Sequence, residues 1–189
     1  MSVRLTASLL VVLAAVPAGA QSWKNSAPET FQANGQILST GGGAASGIEI
    51  RIERYTTDTE HTSMVAALKG GGNDGFIAEL KKAPAIGAVT IGPRSVAVRW
   101  ARQQPQGDSR RIVVVTDEAV FFAGGGAVDA KPTAGYDIAV LEFTVDTVGL
   151  GKGTMASAAR VKPGGPAGVD VEDYSGKRIT LVTVRRNTN

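Results

Sequence analysis

Between Ile48 and Glu53 apolar and charged residues alternate strictly, with Ile48, Ile50 and Ile52 set against Glu49, Arg51 and Glu53. A period of two places the isoleucines on one face of an extended chain and the charges on the other, which predicts a strand half buried and half wet. A shorter strand is expected over residues 31–38. It is preceded by a polar arm at residues 21–30 that reads as mobile, and followed by the Gly41-Gly42-Gly43 break.

After Tyr55 the period changes. His61, Met64, Val65 and Leu68 fall at i, i+3, i+4 and i+7, one stripe of a helix, with Asp58 or Thr59 as the expected cap and Gly70 as the stop. Asn73 or Asp74 then caps a second short helix in which Phe76, Ile77 and Leu80 share a face, and Lys81 and Lys82 stand at its negative dipole end. The pattern predicts a short helical pair near residues 59–82.

Beyond Pro84 the period of two returns. Strands are expected over residues 86–91, 94–102, 110–116, 136–146, 153–161, 169–174 and 179–185, with a loop at residues 103–109 and Gly-containing turns between most of the others. Trp100 falls on the side of Val96 and Val98 and is expected in the core with them. The unbroken apolar run from Ile112 to Val115 predicts a strand covered on both faces. The fold class is therefore mainly β, an antiparallel sandwich or barrel of about 8–9 strands plus the helical pair. No interdomain linker interrupts residues 31–189, which read as one globular domain.

Composition sharpens this picture in three places. Twenty-four glycines and eight prolines against 5% aromatics fit a turn-rich chain. Absent cysteine excludes a disulfide, a thiolate nucleophile, a Cys-ligated metal and a lipid anchor on cysteine. Ten aromatics are too few for the two girdles of a transmembrane barrel.

Arg4, the apolar run from Leu5 to Val16 and the small residues Ala18-Gly19-Ala20 form a signal-peptide pattern at residues 1–20, with cleavage expected between Ala20 and Gln21. The apolar run falls short of the ~20 residues that span a bilayer, so export to the periplasm or the medium is expected without a membrane span or lipid anchor. Losing the leader removes Arg4 and lowers the net charge of +3 by one. The remaining basic residues, including Arg99 and Arg102, Arg110 and Arg111, and Arg185 and Arg186, are spread along the chain and read as solvated strand faces. No nucleic-acid partner is expected.

The chemistry-bearing residues are few. His61 is the single imidazole, so any Ser/His/Asp arrangement would depend on it, and its place on the apolar stripe favours a packed structural role. Asp58 and Glu60 beside it could contribute to a metal cluster, but they serve equally as cap and dipole partners. Asp170 and Glu172 share one side of a predicted strand, with Asp173 on the other. They could face a sugar or a calcium ion, or simply form a solvated face with Tyr174 opposite buried Val169 and Val171. Asn73-Asp74-Gly75 is too short for a calcium loop. Gly149-Leu150-Gly151-Lys152-Gly153-Thr154 resembles a phosphate loop, but a glycine separates the lysine from the threonine, and a turn between strands explains it. No catalytic, cofactor-binding or metal-binding residue is assigned, and no cofactor is implied.

Several phrases together carry a resemblance. They are Tyr55-Thr56-Thr57-Asp58-Thr59-Glu60 before Leu68, Arg111-Ile112-Val113-Val114-Val115-Thr116-Asp117, Leu141-Glu142-Phe143 before Gly151-Lys152-Gly153, and Val171-Glu172-Asp173-Tyr174 before Ile179. With them the chain resembles an uncharacterised family of exported bacterial proteins, which implies export and a single domain and carries no activity. The expected function is a non-catalytic exported module that binds a ligand or interacts with the envelope, its partner an envelope protein or a small ligand. The alternatives are a carboxylate-dependent hydrolase or isomerase using His61, and a small-ligand carrier with a pocket under the helical pair.

Overall fold

The computed structural model describes residues 27–37, 44–121, 132–176 and 178–187. The leader, most of the N-terminal arm with Trp23, and the Gly41–Gly43 break lie outside them. The elements follow as β1 (Glu29–Ile37), β2 (Ala44–Ile52), α1 (Asp58–Lys82), β3 (Gly87–Ile91), β4 (Arg94–Gln106), β5 (Ser109–Thr116), β6 (Ile138–Asp146), β7 (Leu150–Pro163), β8 (Val169–Tyr174) and β9 (Ile179–Asn187).

All pairings are antiparallel. Successive strands pair from β1 to β7, β7 pairs with β9, and β9 returns to β1, so eight strands close into a barrel. β8 is the extra strand. It continues the line of β9 along the same edge of β7, whose first half pairs with β9 and whose second half pairs with β8. Closure removes the exposed edges that an open sheet of this length would present.

Alternation fills the inside. Phe31, Ile48, Ile50, Ile52, Val89, Val98, Ile112, Val114, Leu141, Phe143, Leu181 and Val184 are buried together there, so the barrel is packed with side chains. Gly151 and Gly153 also face inward on β7. A Cβ at either would collide with the carbonyl oxygen of Thr144 or Glu142, so glycine is what lets β7 approach β6 closely enough to close the wall.

A second core lies outside the wall. Trp100, Val113, Val115, Ile138 and Val140 point outward from β4, β5 and β6 and are covered by Met64, Leu68, Phe76 and Leu80 of α1 and by Val161, Ala167 and Val169 of the β7–β8 hairpin. The tip of that hairpin reaches β4, where Gln104 donates a side-chain hydrogen bond to the Pro166 carbonyl. The run Ile112–Val115 is thus covered on both faces, as its unbroken hydrophobicity predicts.

Trp100 is fully buried, but in this outer core and not beside Val96 and Val98. A β-bulge between Val98 and Trp100 shifts the register against β5 and inverts the alternation, sending Ala101 inward and Trp100 outward.

The helical pair is present as α1, divided by Gly72 at φ 61°. Its caps differ from expectation. Thr57 caps the first half: its hydroxyl accepts from the Glu60 amide at 3.3 Å, and the Glu60 carboxylate accepts from the Thr57 amide at 2.8 Å. Asn73 spends its side chain on the barrel, donating to the Gly135 carbonyl at 3.1 Å and accepting from the Val161 amide at 2.9 Å. It is a buried bridge between α1 and β7 in place of a cap. The expected loop at residues 103–109 shrinks to a tight turn at Gly107 and Asp108, because β4 and β5 stay paired out to Gln106 and Ser109.

Candidate functional site

One buried polar centre lies inside the barrel. Arg110 is in phase with Ile112 and Val114 and so points inward, and Glu29 is in phase with Phe31 on β1. Their side chains are 1% and 4% exposed and meet in a two-pronged pair at 2.7 and 2.5 Å. Gln103 accepts from the same guanidinium at 2.7 Å, the Tyr55 hydroxyl donates to Glu29 at 2.5 Å, and the guanidinium carbon lies 5.7 Å from the Phe31 ring centre. Burial and the neighbouring Glu29 charge push the Tyr55 hydroxyl far above its usual value. Burial is the largest single influence on Arg110 and works against its charge, but the hydrogen bonds and charges of Glu29 and Tyr55 together outweigh it and raise the guanidinium above its ordinary value. Both terminal nitrogens of the guanidinium are engaged by these partners, so the chemistry is that of a polar plug.

Arg110 was expected on a solvated face with Arg111. Only Arg111 lies there, pairing with Glu142 at 2.6 Å. The in-phase position of Arg110 with Ile112 and Val114 was the signal that separates the two, whereas Glu29 lay within the arm expected to be mobile.

His61 packs on the outer wall, its ring centre 6.0 Å from that of Trp100 and its Cε1 beside Gly168. Burial and then the positive charge of Arg102 hold it below the usual histidine value, with Asp58 partly opposing them. The nearby acids turn elsewhere. Asp58 pairs with Arg102 at 2.9 Å, and Glu60 pairs with Arg54 at 2.8 Å. The Arg54 hydrogen bond, outweighing burial and joined by the Thr57 donors, brings Glu60 down to about 2. Among the described residues no three acids or histidines gather as a metal would need.

The β8 acids are likewise engaged separately. Glu172 lies 3.7 Å from Arg160, Asp173 accepts from the Tyr136 hydroxyl at 2.7 Å, and Asp170 and Asp173 each accept the amide of the following residue at 2.8 Å. Val169 and Val171 face the outer core as the alternation predicts.

Residues 149–154 are a turn and the start of β7. The Asp146 carboxylate accepts the amides of Val148 at 3.0 Å and Leu150 at 2.9 Å, Gly149 takes φ 85°, and the Gly149 carbonyl accepts from the Arg186 amide at 2.8 Å. These bonds fix the hairpin, and the segment forms no phosphate cradle.

The remaining feature is a surface. α1 and the β7–β8 hairpin cover the outside of β4, β5 and β6, leaving the outside of β2, β1, β9 and the first half of β7 exposed. Neither β7 nor β9 contains an acidic residue. Leu150 is paired with Arg185, and Lys152 lies across from the β9 bulge that carries Val182 and Thr183. On β1 and β2 the Glu49 carboxylate accepts from Gln32 at 2.7 Å. Val148, Leu150 and Val182 are 73%, 44% and 40% exposed, three of the few large apolar side chains left in water among the described residues. Sequence reading missed this face because it forms only when β7 is placed beside β9. Compared with family models, curated proteins and solved structures, the chain finds no match.

Proposed function

We propose that the chain is an exported, non-catalytic module that attaches to the cell envelope through the outer face of β7, β9, β1 and β2. The observation that carries this reading is the division of the barrel's surfaces among the described residues: the inside is filled, the outside of β4, β5 and β6 is covered, and the broad face left open has cations and no acid on two adjoining strands. An internal carrier would need space where Phe31, Ile50, Leu141 and Phe143 stand. A hydrolase would need its acids to converge, whereas Glu29, Asp58, Glu60 and Asp173 are each bound to a different partner. The leader pattern at residues 1–20 supports export.

The test uses the absence of native cysteine. Thr183→Cys on the open face and Lys81→Cys at the end of α1 are each coupled to a polyethylene glycol maleimide and sedimented with washed envelope fragments. The unmodified protein and the Lys81 adduct are expected to sediment with the fragments and the Thr183 adduct to stay in solution. Absence of association, or equal association of both adducts, overturns the reading.

A further inference from the structure

We infer that the β6–β7 turn and the adjoining strip of β7 and β9 bind the surface of an anionic phospholipid membrane. This deepens the envelope reading and rests on it. Val148 protrudes from the turn and Leu150 follows it on the outer face of β7. An apolar side chain 73% exposed at a turn suits insertion into a soft interface. The turn does not yield on contact, because Asp146 and the Arg186 amide fix it through three hydrogen bonds.

Within β7 and β9 themselves the charge is of one sign. Arg185 lies beside Leu150, and Lys152 faces the bulge bearing Val182, so each exposed aliphatic on the strip has a cation on the neighbouring strand. Of the nearest acids, Glu142 is paired with Arg111, while Asp146 accepts two amides of the turn and is the one negative group left beside the strip among the described residues of β6 and β7. Aliphatics that bury a few ångströms into the headgroup boundary while lysine and arginine meet lipid phosphates form a two-part signal that neither part supplies alone. An acid-rimmed protein pocket would also attract cations, but it would not need the apolar tip to project from a rigid turn.

The chain starting at Gln21 contains every described element and omits the apolar run from Leu5 to Val16. That protein is sedimented with vesicles of phosphatidylcholine alone and of phosphatidylcholine with phosphatidylglycerol, at about 0.05 M and 0.5 M salt. Binding is expected to the anionic vesicles only and to fall with salt. Lys152→Glu with Arg185→Glu should weaken it at least tenfold, since each cation near such a surface contributes on the order of 1 kcal/mol. Val148→Ser should weaken it several-fold with its salt dependence unchanged, and Thr62→Glu on α1 should leave it as it was. Each variant's thermal midpoint is measured first, so that loss of folding is not read as loss of binding. Equal binding to neutral vesicles, or anionic binding indifferent to the charge reversals, overturns the inference. Sedimentation with envelope fragments but not with protein-free vesicles overturns it too, while leaving the envelope reading standing and pointing to a protein partner.

Discussion

The Trp100 indole faces the His61 imidazole across 6.0 Å on the outside of the barrel, one β-bulge away from Val98 on the inside. The tryptophan is fully buried there. In a Trp23→Phe background its emission should be blue and resist acrylamide. Emission quenched as in free tryptophan would contradict the packing.

His61 ties that contact to pH. Its folded value lies below the ordinary 6.5, so the folded protein binds fewer protons than the unfolded chain. Stability from this residue is complete above about 6.5, the unfolded value, and is lost as pH falls through the folded value. Denaturant titrations at about pH 7.5 and 5.5 should show a smaller difference for His61→Leu than for the parent protein. Equal slopes would mean that the imidazole is not desolvated.

Glu60 acts lower on the scale. Its value of about 2 against an ordinary 4.5 means that the folded state releases its proton more readily. The stabilising contribution is present above 4.5 and disappears as pH falls through about 2. Glu60→Gln should flatten acid unfolding across that window, and Arg54→Ala should do much the same, because Arg54 is the main cause of the shift. Unchanged acid curves in both would exclude the pairing as a source of stability.

Arg110 and Glu29 should behave as a unit. Removing one member of a buried, hydrogen-bonded pair leaves an uncompensated charge and costs about 3–5 kcal/mol. Arg110→Met and Glu29→Leu are each expected to cost that much by urea unfolding, and the double variant less than the sum of the two. Simple additivity would show that the two side chains do not depend on one another.

Barrel closure depends on missing side chains. Gly153→Ala places a methyl against the Glu142 carbonyl and the Phe143 side chain, so a loss of roughly 1–3 kcal/mol or more is expected. Gly47→Ala on β2 meets nothing within 4 Å and serves as the control, expected within about 0.5 kcal/mol of the parent. Similar effects at both positions would indicate that β6 and β7 are not in close contact.

How much of this was legible in the sequence depends on the range of the interaction responsible. The alternation from Ile48 to Glu53, the stripe from Met64 to Leu68 and the apolar run at Ile112 each record a local periodicity, and each reappears in the fold. Trp100 was misplaced because a bulge adds a residue against β5, a property of the pair of strands that neither strand encodes alone. Asn73 followed the same logic: the composition of a cap was present, but the Val161 amide from a distant strand claimed the side chain. Glu29 and Arg110 are far apart in the chain and meet only when β1 and β5 face each other across the interior. The open face is likewise a product of strand order, since Leu150 and Arg185 become neighbours only through the β7–β9 pairing.

The last of those pairings also governs when the molecule can exist. β9, the last of the described strands, supplies the join between β7 and β1, pairing Thr30 with Asn187 and Leu150 with Arg185. A growing chain that has made only β1 to β7 therefore holds two unpaired strand edges and a half-exposed interior. Such a species must be kept apart from its own kind until β9 has joined it. Barrel closure thus waits for β9, and it is set by long-range pairing and slow relative to α1, whose backbone hydrogen bonds are local.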